Sequence, residues 1–205
     1  MNLFPELNTV AKGLMDEYPG PDAGRKNLLD SVAAAVRKQL GPLFLNFICT
    51  HNSRRSQLGQ AWAQAAAYYH DVDGIFSVSG GTEVSAFHPN TIAALKRQGF
   101  HIELKAGDTN PVYNVRFSSE APSLEMYSKL FGDAVPSGAR FLAMMVCNQA
   151  DAACPFVPGN SGRFQLNYSD PGAFDGKPGQ DAAYDERARQ IASEMLYVFS
   201  KVKGI

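Results

Sequence analysis

The sequence has few cysteines and no long apolar run, and these two absences narrow the class of protein. Its 205 residues include three cysteines, Cys49, Cys147 and Cys154, and an odd, sparse set is not typical of a secreted disulfide framework. No apolar stretch approaches the roughly 20 residues of a membrane helix, and the first residues lack the pattern of a signal peptide. We therefore expect a cytoplasmic protein whose cysteines are buried fillers, metal ligands or reactive thiols.

An excess of charge of either sign is also missing. The 19 basic and 20 acidic residues leave a formal net charge of −1, which gives no reason to expect nucleic acid or a membrane as partner. A hydrophobic content of 45% is ordinary for a globular protein. The length suits one α/β domain with a full core, with or without an extension.

Strand and helix patterns alternate along most of the chain. Apolar runs predict strands at 43–48, 75–79, 100–104 and 140–146. Residues 155–178 are predicted to be loop with at most one short strand. Periodic apolar positions predict helices at 53–70, 89–98 and 121–131 and a last helix from about Asp181, whereas 105–121 are mostly loop. Such alternation predicts a mostly parallel sheet with helices on both faces.

Two helices are predicted before the first strand. Leu7, Val10, Ala11 and Leu14 share one helical face, and a second helix is expected from about Asp22 to Leu40. We predict an N-terminal helical extension, residues 1–41, and a main domain, residues 42–205. The extension carries no chemical motif, and we expect it to pack on the main domain or on a second subunit, which leaves a homodimer open.

The stretch that carries chemistry lies between the first strand and its following helix. The apolar run ends at Cys49, and Arg55 follows at the start of the helical pattern, a C-x5-R spacing. Backbone N–H groups of a short loop and the positive end of a helix dipole bind oxyanions, and an arginine fork grips two oxygens. The expected oxyanion-binding residues are Thr50, His51, Asn52, Ser53, Arg54, Arg55 and Ser56.

In this interpretation Cys49 is the nucleophile, because the same field favours its thiolate. Ser56 is placed to donate a hydrogen bond to the sulfur, and Asn52 tolerates the left-handed backbone that so tight a loop needs. The competing interpretation is a buried cysteine followed by an ordinary exposed arginine. The position between a buried strand and a helix favours the functional one.

Residues Cys49 to Gln57 resemble the phosphate-binding loop of low-molecular-weight protein tyrosine phosphatases. They resemble still more that of thioredoxin-coupled arsenate reductases built on the same fold. The resemblance covers roughly residues 43–108 and 140–202 and implies a three-layer α/β/α fold with a central, mostly parallel four-stranded sheet. Asp170-Pro171 resembles the Asp-Pro pair of both groups, which implies that Asp170 protonates the departing oxygen. His51 stands where glycine is common, and we expect both His51 and Arg54 to face outward.

Cys147 and Cys154 separate reduction from hydrolysis. They stand in a C-x6-C spacing after a predicted strand, and zinc is disfavoured because it needs about four N or S ligands and no histidine is expected nearby. The resemblance to the arsenate reductases implies a relay: Cys147 attacks Cys49, Cys154 attacks Cys147, and a thioredoxin-type dithiol restores the pair. A buried filler remains open for Cys147.

The sequence therefore predicts an arsenate reductase, with a phosphatase that hydrolyses phosphomonoesters through a phosphocysteine as the alternative. A third possibility is an anion-binding or redox-sensing module without catalysis. No cofactor or metal is expected. Some relatives hold a monovalent cation beside the loop, and Asn52, Ser79 and Asp108 occupy matching positions, but Gln60 stands where a glutamate is expected, which argues against a cation here.

Overall fold

The first strand of the chain lies at the centre of a parallel sheet. The computed structural model describes residues 2–16, 22–39, 41–153 and 157–204. Strand β1 (Leu43–Cys49) pairs in parallel with β2 (Ile75–Gly81) on one side and with β6 (Phe141–Met145) on the other, and β7 (Arg163–Gln165) completes the order β2-β1-β6-β7. Every residue of β6 and all but one of β1 are buried, as a central strand requires.

Helices flank both faces of this sheet. Alternate residues of a strand point to opposite faces, so Phe47, which abuts Gly59 of helix α3 (Arg55–Tyr69), marks one face. Asn46 marks the other, where its amide donates to the Phe131 carbonyl in a 3₁₀ turn (Phe131–Asp133). The short helix α5 (Asn148–Ala153) also contacts β1 and β6. The expected three-layer α/β/α fold with a parallel four-stranded sheet is confirmed.

A second, antiparallel sheet corrects two of the predictions. Strands β3 (His101–Ala106), β4 (Val112–Arg116) and β5 (Leu124–Met126) form it in that order, so residues 105–121 contain a strand. The helix predicted at 121–131 is wrong. Leu124 and Met126 alternate with the exposed Glu125, and this period of two lets the segment pair with β4.

The remaining helices pack around the long C-terminal one. Helix α6 (Gln180–Lys203) contacts α3, helix α4 (Pro89–Arg97) and the two N-terminal helices, α1 (Pro5–Asp16) and α2 (Ala23–Arg37). Leu7 and Leu29 lie in the same hydrophobic core as β1. The division of the chain at residue 42 remains a prediction. None of the described helices combines the length and the apolar character needed to cross a lipid bilayer.

We expect Gly59→Ala to destabilise the protein although alanine favours helices. A Cβ at Gly59 would lie 2.4 Å from a ring carbon of the fully buried Phe47, so the sheet and α3 would have to separate. Overpacking of this kind costs about 1–3 kcal/mol of unfolding free energy, measured by urea denaturation.

The matched control is Gly13→Ala in α1, where an added Cβ meets no atom within 4 Å. The same substitution there should stabilise by up to about 1 kcal/mol, because only helix propensity changes. Equal effects at the two glycines would contradict the close approach of α3 to β1.

Candidate active site

The Cys49–Arg55 loop lies at the carboxyl edge of the parallel sheet. Strand β1 ends at Cys49 and helix α3 begins at Arg55, so the predicted strand-loop-helix arrangement is present, with the helix beginning two residues later than expected. Cys49 pairs with Gly81 of β2, and Ile48 pairs with Met145, two residues before Cys147. Ligands of open α/β sheets bind at this edge.

Each backbone carbonyl of the loop accepts a hydrogen bond from surrounding protein. The donors are, in loop order, Thr82 N, Glu83 N, the Ser85 and Ser128 hydroxyls, Gln57 Nε2, His88 N and Leu58 N, which reach the carbonyls of residues 49 to 54. In a planar trans peptide the N–H points opposite to the C=O. The N–H groups of residues 50 to 55 are therefore directed to the inside of the loop, as an anion-binding concavity requires.

Asn52 fixes the shape of the loop. Its φ is +46°, the left-handed conformation expected from the sequence, and its side chain is fully buried. The amide oxygen accepts from the Lys129 N–H at 2.9 Å, and the amide nitrogen donates to Ser56 Oγ at 2.9 Å. The side chain thereby ties the loop both to the segment after β5 and to the first turn of α3.

The Cys49 thiol has a hydroxyl partner. Its Sγ lies 3.1 Å from Ser56 Oγ, and both residues are buried. Because Ser56 Oγ accepts from Asn52, its own O–H is available to the sulfur. The contact expected from the sequence is present, and a hydroxyl donor in this position stabilises a thiolate.

Arg55 and Asp170 meet at the mouth of the loop. Arg55 donates to Asp170 Oδ2 at 2.6 Å and to the Tyr168 carbonyl at 3.0 Å, and its guanidinium is nearly buried. Its Nε is buried without a hydrogen-bond partner. A buried unpaired donor is costly, and one directed at an anion site is satisfied when the anion binds.

Two cavities share Arg55 and Asp170. The smaller, about 10 Å³, lies inside the loop and is lined by Cys49, Thr50, His51, Ser53, Arg54, Arg55 and Asp170. The larger, about 310 Å³, opens beside it between Tyr168–Asp170 and Cys147–Gln149. The candidate site thus combines a small cavity inside the loop with a wider polar cleft beside it.

Arg54 does not face outward, so that expectation is wrong. Its guanidinium bonds Asp175 and donates from Nε to the Tyr184 hydroxyl at 2.6 Å, while Asn90 also donates to Asp175. Burial, then the hydrogen bond to Asp175, raises the pKa of Tyr184 to about 12, so the phenol stays protonated. The Asp175 carboxylate attracts the second arginine away from solvent. His51 does reach solvent, with 53% of its side chain exposed.

Burial and the adjacent Arg54 charge lower the pKa of His88, which lies beside Asp175. Burial also lowers the pKa of His70. Both imidazoles are therefore favoured in the neutral form in the folded protein.

Cys147 is a buried thiol next to the loop. It follows β6, its Sγ lies 3.6 Å from Thr50 Oγ1, and it accepts the Ala150 N–H at 3.3 Å. Cys154, the other member of the predicted pair, lies outside the described residues. Within the described ranges, no three His, Cys, Asp or Glu side chains cluster in a way that could hold a metal ion.

Of the four side chains compared with a cation site, Asn52, Ser79 and Gln60 form hydrogen bonds within the protein. The Asn52 amide oxygen already accepts the Lys129 N–H, and Gln60 Oε1 accepts the Ser79 hydroxyl at 2.6 Å. Asp108 is exposed in the turn between β3 and β4. That no cation binds here stays a prediction.

The fold resembles that of solved low-molecular-weight phosphatase-like proteins. A mutant of YwlE from Bacillus subtilis superimposes with a TM-score of 0.54 at 15% identity, over 78% of this chain and 99% of that one. A low-molecular-weight protein tyrosine phosphatase from T. tengcongensis superimposes with a TM-score of 0.51 at 14% identity, over 78% and 99%. These similarities show the fold.

Sequence comparison points to arsenate reductases. The chain is 25% identical over 155 residues to arsenate reductases of Halalkalibacterium halodurans and Bacillus subtilis, covering 76% of this chain and 93% of each relative. No protein-family model matches the chain. The resemblance first indicated by residues 49–57 is therefore confirmed: the chain has the phosphatase-like fold and is similar in sequence to bacterial arsenate reductases.

Sequence reasoning missed the residues that support the segment before Asp170. These residues are Arg25 of α2, Tyr168, and Glu194 of α6. Arg25 donates two hydrogen bonds to the buried Glu194, and the Tyr168 hydroxyl donates one. Glu194 lies within the apolar stripe of α6, between Ile191 and Met195. A carboxylate in such a stripe is the one signal that a buried partner exists.

We expect Asn52→Ala and Asn52→Gly both to destabilise the protein, the alanine variant more. Each leaves the Lys129 N–H without its acceptor, which costs about 1–3 kcal/mol. Only alanine also opposes the left-handed backbone, at about 1–2 kcal/mol. Urea denaturation measures the stability of both variants.

Asp71 supplies the control, because it is exposed and its backbone is also left-handed, at φ +55°. The difference in stability between Asp71→Ala and Asp71→Gly reports the backbone cost alone. Equal stability of the two Asn52 variants would contradict a role for the left-handed turn.

We expect the unfolding free energy to fall as pH decreases through the titration range of histidine. Because the pKa values of His70 and His88 are lowered in the folded protein, the unfolded chain binds more protons than the folded protein in this pH range. The stability they contribute is complete above the ordinary histidine pKa, about 6.5, and is lost as pH falls through their lower folded values. His88 caps α4 by accepting the Asn90 N–H. His88→Asn, which keeps a capping side chain, should reduce the loss between pH 7 and pH 5 in denaturation curves. His51→Asn, at an exposed imidazole, is the control, and identical slopes for wild type and His88→Asn would reject the assignment.

Proposed function

We propose that this protein reduces arsenate to arsenite, using Cys49, Cys147 and Cys154 as a thiol relay that a thioredoxin-type dithiol restores. The observation that carries the proposal is a second buried thiol beside the loop. Cys147 Sγ lies 3.6 Å from the hydroxyl of Thr50, the residue that follows Cys49. Hydrolysis of a phosphate ester needs one cysteine, whereas reduction needs a second thiol within reach of the first. The curated arsenate reductases to which the chain is similar support the same activity.

The first step forms a bond between sulfur and arsenic. Arsenate is a tetrahedral oxyanion, and the inward N–H groups of residues 50 to 55, with Arg55, surround the position beside Cys49 where it would bind. The Cys49 thiolate attacks arsenic, an As–O bond breaks, and Asp170 donates the proton with which that oxygen leaves as water. Ser56 stabilises the thiolate before attack.

The second step transfers two electrons. The Cys147 thiolate attacks the Cys49 sulfur, an S–S bond forms, and the S–As bond breaks with its electron pair on arsenic. Arsenic(V) becomes arsenic(III), and arsenite leaves. Because Cys49 ends β1 and Cys147 follows the neighbouring strand β6, we expect the step to move α5 rather than the sheet.

The third step frees the nucleophile. The Cys154 thiolate attacks Cys147, so that a Cys147–Cys154 disulfide forms and Cys49 is released. A reduced dithiol of the thioredoxin type then exchanges with this disulfide and is itself oxidised. A reducing cytoplasm is the setting in which such a relay operates.

Hydrolysis of a phosphomonoester is the second candidate, favoured by the cleft of about 310 Å³ beside Arg55 and Asp170. A cleft of this size accommodates an organic leaving group, which arsenate does not have. Cys49 would form a phosphocysteine, Asp170 would protonate the ester oxygen, and water would then release phosphate. Cys147 and Cys154 would have no role.

The test is arsenate-dependent oxidation of NADPH through thioredoxin reductase and thioredoxin. We expect Cys49→Ser to lower the rate by about 10³-fold or more, as loss of a nucleophile does. Cys154→Ser should allow one turnover and then stop. Mass spectrometry of the wild type after one turnover without reductant should find Cys147 bonded to Cys154 and a free Cys49 thiol.

Two results would reject the relay. One is multiple turnover by Cys154→Ser, and the other is a Cys49–Cys147 bond that persists in the wild type. Hydrolysis of an aryl phosphate that far exceeds arsenate reduction and is unchanged in Cys147→Ser would establish the phosphatase instead.

A further inference from the structure

The N-terminal helix α2 is connected to the candidate active site through one side chain, Arg25, which is 15% exposed. Arg25 forms a two-pronged ion pair with Glu194, from Nε at 2.9 Å and from a terminal nitrogen at 2.6 Å, and its third nitrogen donates to the Leu166 carbonyl. Glu194 is 2% exposed. Burial opposes the charge of Arg25, but the hydrogen bond to Glu194 raises its pKa above the ordinary value, so the guanidinium stays charged.

Tyr168 lies between this ion pair and the loop. Its hydroxyl donates to Glu194 Oε2 at 2.7 Å, and its ring stacks under the Arg25 guanidinium at 4.9 Å. Burial and the Glu194 charge raise its pKa well above the ordinary value, which keeps the phenol a donor. Arg25 thus packs against the face of the Tyr168 ring, and Glu194 binds its hydroxyl.

The same residue presents its carbonyl to the arginine of the loop. Tyr168 O accepts from Arg55 at 3.0 Å, and Asp170, two residues on, accepts from Arg55 at 2.6 Å. On the other side, Leu166 N and Tyr168 N donate to carbonyls of Met145 and Val146, next to Cys147. The position of segment 166–170 therefore determines how Arg55 and Asp170 face the nucleophile.

We propose that Arg25 is a positioning residue for the reaction at Cys49: through Glu194 and Tyr168 it fixes segment 166–170 so that Asp170 lies at the mouth of the loop. The inference rests on the proposed function, because it takes Asp170 as the proton donor. Arg25 touches no reacting atom. The planar guanidinium of Arg25 binds both oxygens of the Glu194 carboxylate at once. A lysine at this position would keep the positive charge but lose the fixed orientation.

A purely stabilising role would have a different signature. Buried ion pairs are weak contributors to net stability, and α6 has another arginine–carboxylate pair, Arg97–Asp185, which joins it to α4 away from segment 166–170. Arg97→Lys is therefore a matched control. It is the same substitution and also removes a two-pronged contact with α6, but Arg97 does not contact Tyr168.

The experiment is a double-mutant cycle between Arg25 and Asp170. We expect Arg25→Lys to lower kcat/KM for arsenate by about 10-fold or more, because small displacements of a reacting group cost up to about 10²-fold. In an Asp170→Asn background the same change should lower kcat/KM by less than about 2-fold, since the group to be positioned is gone.

Tyr168→Phe loses only the hydroxyl and should behave like Arg25→Lys. The control Arg97→Lys should leave kcat/KM unchanged in both backgrounds. An equal factor in the two backgrounds would mean a general structural effect and would overturn the proposal.

A second measurement does not depend on activity. Amide hydrogen exchange at Leu166, Asn167 and Tyr168, whose N–H groups bond Met145 and Val146, should be about 10-fold faster in Arg25→Lys and unchanged in Arg97→Lys. If the wild type turns over neither arsenate nor aryl phosphate, the proposed function fails. Faster exchange would then still support the anchoring of segment 166–170 by Arg25, and unchanged exchange would reject it.

Discussion

The outward hydrogen bonding of six consecutive carbonyls is the constraint on which the site depends. The carbonyls of residues 49 to 54 each accept a donor from outside the loop interior, and this fixes the opposing N–H groups inward. The donors come from residues that follow β2 and β5 and from the first turns of α3 and α4. The segment that follows β5 of the second sheet therefore shapes the loop through Ser128 and Lys129.

Helix α6 connects the two sides of the site. Near its start, Tyr184 donates to Asp175 and accepts from Arg54. Three turns further on, Glu194 binds Arg25 and Tyr168. One rigid element thus holds both the second arginine of the loop and the segment that carries Asp170. Such support by buried side chains on regular elements keeps reacting groups within the small tolerance that catalysis requires.

The sequence predicts the parallel core and the Cys49–Arg55 loop well, because a buried strand is a continuous apolar run and the loop is a local spacing. It predicts the second sheet poorly. Leu104, in β3, is 63% exposed, and such strands have no continuous apolar pattern. The pair of Arg25 and Glu194 spans 169 positions, and no local pattern records it. The orientation of Arg54 likewise depends on Asp175 and Tyr184, which are distant in sequence.

The ion pair between Arg55 and Asp170 supplies the Arg55 guanidinium with a negative partner from the protein itself. An oxyanion that binds Arg55 replaces the Asp170 carboxylate as its partner. The electrostatic part of its binding free energy is therefore the difference between two attractions. A singly charged ion such as chloride replaces like with like, whereas a doubly charged tetrahedral oxyanion brings an additional charge and more acceptor atoms. For the oxyanion site proposed above, the internal carboxylate would therefore favour a doubly charged ligand over monovalent anions without any steric barrier.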